Sequence, residues 1–343
     1  MTARAPAPGA PFGTAELRAG STKAVIVPAL GGKIISLEFA GREWLWGGDL
    51  TGRSAPVDGA PYDEHADGGG YDELFPTIAP CTLPSHVTRY GGLSLPDHGE
   101  LWSQPATFTL ETRPEGMFAT TGWHGRRMPY RFVRDVFVSN AGSVEMHYAV
   151  SNDGDVRLPF VWSAQAMLPL TKSTRFVLPE GTRARVWSQE GVELGGQGAY
   201  LRWPRAVIGG KLVDLTRPDE VARTYACRIY FDPGAGRAAV EADGGRLDVS
   251  FDVEQLRHVA LSINKPGWSP FGKRRSARTI ALAPSIGSPD SLSEALGAWR
   301  DAAWLEPGET REWRLIWRAS TVESPADDGE GAGQERRASA EGR

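Results

Sequence analysis

Cysteine is almost missing from this sequence: only Cys81 and Cys227 occur among 343 residues, far apart and outside any Cys-x-x-Cys pair. They permit a single disulfide, and their spacing favours none, so two free thiols in a reducing compartment are expected. No run approaches 18 uninterrupted apolar residues, the length at which a membrane-spanning helix would be read. Met1 to Gly13 is rich in Ala, Pro and Gly and lacks the apolar stretch of a signal peptide, so a cytoplasmic location is expected. An excess of either charge is lacking too: 38 basic residues stand against 42 acidic ones, net −4. That balance leaves no electrostatic footprint of a nucleic-acid binder. Lys273-Arg274-Arg275 with Arg278 reads as a solvated loop, although such a loop would also suit an acidic substrate. His65, His86, His124 and His147 have no partner at ligand spacing, so no metal is expected.

What the chain does have is turn material and short apolar alternation. Its 41 Gly and 25 Pro sit among 41% hydrophobic residues, as many short strands joined by tight turns would require. A length prior of about 150 residues per domain suggests two domains, but all-β folds often exceed it as one unit. Residues 13–320 are read as one β-sandwich domain. The flanking segments 1–12 and 321–343 hold too few apolar residues to offset their ordering entropy and are read as disordered tails.

Strand signals recur throughout. The stretch from Lys33 to Phe39, a Gly41-Arg42 turn and Glu43 to Trp46 form one expected hairpin. Arg131 to Val138 and Ser143 to Val150 form a second around Asn140-Ala-Gly142, and Asn152-Asp-Gly-Asp155 marks a tight turn. Further strands are expected at 158–168, 183–187, 226–231, 236–242, 246–251, 257–263 and 311–318. Strands at this spacing favour a large antiparallel sandwich over βαβ units. One helix is expected from Ser288 to Trp299, with Ser288 as cap, Pro289 at the first helical position and an apolar face of Leu292, Ala295, Leu296 and Trp299.

Four segments, in chain order from about residue 31 to residue 317, carry a resemblance to a known family. The first is Gly31 to Phe39 with Arg42-Glu-Trp-Leu-Trp46. The second pairs Gly70-Tyr-Asp-Glu-Leu-Phe-Pro-Thr77 with Leu95-Pro-Asp-His-Gly-Glu-Leu-Trp-Ser103. The third is Leu158-Pro-Phe-Val-Trp-Ser-Ala-Gln-Ala-Met-Leu168. The fourth joins His258-Val-Ala-Leu-Ser-Ile-Asn-Lys-Pro-Gly-Trp268 to Ala281-Leu-Ala-Pro284 and Ser288-Pro-Asp-Ser-Leu292, and Leu305 to Trp313 closes the series. Together these resemble the aldose 1-epimerase, or galactose mutarotase-like, family in its more divergent bacterial branch. The resemblance implies an all-β supersandwich with few short helices, a sugar-sized cleft, and no metal or organic cofactor.

The departures matter as much as the matches. The family's third segment ends in a His-Pro that supplies a general acid; here Gln165 and Ala166 stand there. The family's general-base glutamate falls on Ala283. Neither Gln nor Ala transfers a proton near neutral pH. Other groups must then do any chemistry. His98 leads, with Glu73 and His258 beside it as catalytic candidates. Asp72, Asp97, Glu100, Trp102, Arg134, Trp162, Gln165, Asn264, Trp268 and Ala283 are the candidates for holding the substrate. Period-two alternation puts His258, Ala260, Ser262 and Asn264 on one face of their strand. His258 either reaches the ligand or faces solvent; Arg134 is either a clamp or an ordinary charged strand residue.

Three functions are compatible with this pattern. An isomerase-type enzyme acting on a sugar or sugar-like ring is placed first. A carbohydrate-binding protein without chemistry and an enzyme repurposed for elimination, cyclisation or epimerisation of a non-aldose follow. In each the partner is a small molecule, not nucleic acid or membrane. Nothing in the sequence fixes an oligomeric state.

Overall fold

The computed structural model describes residues 12–47, 57–62, 69–221, 224–265 and 278–322. Trp268 and the basic cluster at 273–275 lie outside these residues, and so do most of the two expected tails. Thr321, placed in the tail by sequence, instead ends the last strand opposite Gly245. Phe12, at the other boundary, packs against Val27 and Leu30.

Among the described residues, two large antiparallel sheets carry the fold. The eleven-stranded sheet runs in space from Ala15–Ala19 through Thr22–Val27, Lys33–Phe39, Tyr71–Leu74, Trp162–Pro169, Thr279–Ile286, His258–Asn264, Ala226–Phe231 and Arg183–Glu190 to Tyr200–Arg202, with Arg42–Glu43 as a side branch. The eight-stranded sheet runs from Arg175–Val177 through Arg237–Ala242, Gly245–Phe251, Thr310–Thr321, Ser143–Asn152, Tyr130–Ser139 and Gly116–His124 to Thr107–Arg113. Both expected hairpins form. The second pairs Val138 with Val144, and its turn carries Gly142 at φ +80°. The first is shorter than expected: pairing ends at Glu43, whose carboxylate accepts from the N–H groups of Leu37, Trp44 and Leu45, while Trp44 and Leu45 bury their side chains in the core.

An aromatic layer joins the sheets. Trp162 of the larger sheet lies 4.8 Å, centroid to centroid, from Trp313 of the smaller one, and Tyr148 stacks on Trp313 at 5.3 Å. Full burial of such side chains contributes about 1.5–3 kcal/mol each. Into this layer the alternation of Tyr130–Ser139 also delivers Arg134, fully buried between Phe132 and Val136.

The helix is shorter than its sequence signals, spanning Leu292–Leu296. Its cap is Ser291, whose side chain accepts from the Glu294 N–H. Ser288 is occupied elsewhere, donating to Asp301 at 2.5 Å, and the Asp290 carbonyl accepts from the N–H groups of Ile78 and Ala79. Those contacts tie 288–290 to neighbouring loops, so helical hydrogen bonding starts only after them.

Candidate functional site

Along Ala226–Phe231, Cys227, Ile229 and Phe231 point into the core, and Arg228 and Tyr230 point to the other face of the large sheet. Along the neighbouring His258–Asn264, Val259, Leu261 and Ile263 are the core residues. Register sets Arg228 opposite Ser262 and Tyr230 opposite Ala260. This outer face carries a cleft of about 850 Å³. Strands supply its floor, and the loops around residues 57–62, 78–80 and 96–98 supply its wall.

The wall holds His98. The loop that carries it is pinned to the end of Tyr71–Leu74: His98 N–H donates to the Ile78 carbonyl at 2.7 Å, and Glu100 N–H to the Phe75 carbonyl at 2.8 Å. His98 itself adopts φ +57°, sparsely populated for a residue with a Cβ. Its ring stacks on Tyr62, centroids 3.8 Å apart and planes within 9°. Nδ1 lies 2.8 Å from Asp97 Oδ1. Burial works to raise the Asp97 carboxyl, but the His98 hydrogen bond and the backbone N–H groups of Tyr62 and His98 outweigh it, so its pKa falls below the usual range. A carboxylate at Nδ1 selects the tautomer with the proton on Nδ1, leaving the Nε2 lone pair for a ligand. Two further residues brace this platform. Trp102 Nε1–H donates to the Asp97 carbonyl at 2.9 Å, and Tyr62 O–H donates to Asp72, which also pairs with Lys33 at 2.6 Å.

The floor centres on Arg228, 6% exposed. Its Nε–H donates to Asp290 Oδ1 at 2.6 Å, while Nη1 reaches Ser262 Oγ at 2.9 Å and Gln165 Oε1 at 3.3 Å. Tyr230 O–H also donates to Asp290. Burial works against the guanidinium charge, but Asp290 outweighs it and holds the group protonated. Nη2 of Arg228 and Oδ1 of Asn264, both buried, have no hydrogen-bond partner among the described residues.

Of the residues expected at the site, Asp97, His98, Gln165 and Asn264 therefore line one cleft. Others lie elsewhere. Glu73 and Arg134 form an ion pair at 3.1 Å within the aromatic layer, where Trp162 and Tyr148 donate to Glu73 at 2.9 and 3.1 Å. Their strands turn Glu73, Arg134 and Trp162 to the core face, so none of these three expected site residues reaches the cleft. Burial, only partly opposed by Arg134, raises the Glu73 carboxyl. Glu100 is buried beneath the 125–130 turn, accepting from the N–H groups of Arg126 and Arg127 and from Tyr130 O–H. His258 shares the face of Ser262 and Asn264 but lies beyond the cleft, with Nδ1 2.5 Å from Asp232 and Nε2 2.6 Å from Asp301. Both ring nitrogens are engaged, which leaves none for a substrate. Ala283 is fully buried in a small cluster with Ala260, Tyr230 and Trp299, which fill the space a longer side chain would need. Asp72 and Trp102 stand behind the wall as braces. Trp268 lies outside the described residues.

Sequence reasoning missed Arg228, Asp290 and Tyr62. A lone cation in the apolar run Ala226–Phe231 was a usable signal for Arg228, since alternation isolates it from the core. Tyr62 had none: its loop lies far along the chain from Asp97. Both cysteines are free, and burial pushes the Cys227 thiol up to about 12. Among the described residues, no three His, Cys, Asp or Glu side chains converge as metal ligands would.

No family model and no curated protein matches the chain. Solved structures do match. A protein from Synechocystis is 18% identical with a TM-score of 0.63, over 94% of this chain and 98% of that one. A putative aldose 1-epimerase from Escherichia coli is 16% identical with a TM-score of 0.63, over 90% and 99%. A galactose mutarotase-like protein from Lactobacillus casei is 16% identical with a TM-score of 0.58, over 90% and 100%. The fold is the galactose mutarotase-like sandwich.

Proposed function

We propose that this protein binds a sugar or sugar-like ring in the cleft and interconverts its anomers, as an isomerase with a non-standard acid–base set. The observation that carries the reading is the Asp97–His98 pair, with the ring stacked on Tyr62 at the cleft wall. Mutarotation needs one proton removed from the anomeric hydroxyl as the ring C–O bond breaks and one delivered to the ring oxygen. His98 Nε2 takes the first. Water at the open cleft mouth supplies the second, and both return when the ring recloses on the other face. A positioned imidazole contributes about 10²–10⁴-fold to such a step.

The reading is tested by saturation-transfer NMR of anomer exchange on D-galactose and D-glucose. His98→Ala is expected to lower exchange by about 100-fold or more with the fold intact by circular dichroism. Unchanged exchange in that variant would overturn the assignment. A binding-only reading draws on a separate observation, namely that Gln165 is hydrogen-bonded to Arg228 and has no proton to give. Saturable sugar binding with no exchange above the spontaneous rate would select it.

A further inference from the structure

We infer that Arg228 Nη2 and Asn264 Oδ1 form a donor–acceptor subsite that reads a hydroxyl-bearing edge of a neutral ring. The inference rests on the reading of the cleft as a sugar site and narrows its substrate class. Both side chains line the cleft, at 6% and 7% exposure, and both atoms are buried without a partner among the described residues. Leaving a buried polar atom unpaired is costly, more so when it is charged, so two such atoms on side chains that line one cleft mark a place prepared for a ligand.

Their relative position suits one molecule. Register sets Arg228 opposite Ser262 and Asn264 opposite Ala226, so the two are diagonal neighbours on adjacent strands, about 7–8 Å apart at Cα. Their chemistry then selects the ligand. Arg228 already has its counter-charge in Asp290, so the cluster holds no uncompensated cation for a phosphate or carboxylate. What it has spare is an N–H donor, and Asn264 beside it offers an acceptor. A fully ionised phosphate or carboxylate has acceptors only and would leave Asn264 Oδ1 facing another oxygen. A hydroxyl accepts from Arg228 and donates to Asn264, or two neighbouring hydroxyls divide these roles. Gln165 and Ser262 hold Nη1 and thereby aim Nη2; they act as positioning residues.

The test is a substrate-by-protein cycle. Affinities of D-galactose, D-glucose and their 2-, 3-, 4- and 6-deoxy forms are measured by NMR titration with the full chain and with Asn264→Ala. For the full chain, one deoxy position is expected to weaken binding about tenfold relative to its parent. Asn264→Ala is expected to weaken the parent by a similar factor, with no further loss for that deoxy sugar. Arg228→Lys, which keeps a charge beside Asp290 but removes Nη2, should give the same non-additivity, with folding followed by circular dichroism. Equal losses for every deoxy sugar in all three proteins, absence of binding by either parent sugar, or tighter binding of galactose 6-phosphate or galacturonate than of galactose would each overturn the inference. Anomer exchange without this coupling removes the subsite alone. Coupling without exchange keeps the subsite and removes the isomerase reading.

Discussion

His258 illustrates what a single side chain does when two carboxylates claim it. Burial pushes its pKa down, but Asp232 and Asp301 outweigh that and raise it from 6.5 to about 9. A histidine with a raised folded pKa contributes stability that is fully present below about pH 6.5 and lost as pH rises through about 9. At about 1.4 kcal/mol per pKa unit the contribution is about 3 kcal/mol. Asp301 gives the opposite limb, its pKa lowered from 3.8 because His258 outweighs burial, so its share fades as pH falls below that value. Urea unfolding between pH 5 and 10 should therefore show stability falling above pH 7, and His258→Gln should flatten that slope. An unchanged slope in the variant would assign the loss to other groups. Ala283 makes a second residue-scale case. The sequence marked it as the place of a missing base, but what surrounds it is Tyr230, Ala260 and Trp299. Ala283→Glu, alone or with Gln165→His, is expected to lower stability by about 2 kcal/mol or more and add no anomer exchange. Gained exchange would show that Trp299 gives way.

At the scale of elements, the loop 96–100 decides whether the dyad exists. Gly99 sits at φ +73°, and a Cβ there would lie 2.1 Å from the Phe75 carbonyl oxygen. The close approach that this glycine permits is to the chain's own backbone, at the Phe75–Gly99 bridge. Gly99→Ala should cost about 2 kcal/mol or more and weaken exchange by displacing His98, with urea unfolding and NMR exchange as the two readouts. Strands were legible because alternation is local: Phe132, Val136 and Val138 announce their inner face without help from elsewhere. The helix start was not. Ser288 and Ser291 are equal cap candidates by residue type, and only contacts with Asp301, Ile78 and Ala79 decide between them.

For the molecule as a whole, the large sheet has two faces with separate tasks, and neighbours in sequence fall on opposite ones. Asp72 braces the cleft wall while Glu73, the next residue, is sealed in the core with Arg134. A motif read along the chain groups both as site residues, because local pattern gives the alternation and only the packing of the second sheet says which face is buried. This division has a measurable consequence. Arg134→Met leaves Glu73 buried without its ion pair, which should cost about 3–5 kcal/mol, and adding Glu73→Leu should recover most of that loss. Where each variant remains folded, its affinity for D-galactose should equal that of the unaltered chain, since neither side chain reaches the cleft. Asn264→Ala should show the reverse, weaker binding with the unfolding midpoint nearly unchanged. If the core pair altered affinity as strongly as Asn264, the two faces would be coupled through the strand Tyr71–Leu74, and folding would not be separate from recognition.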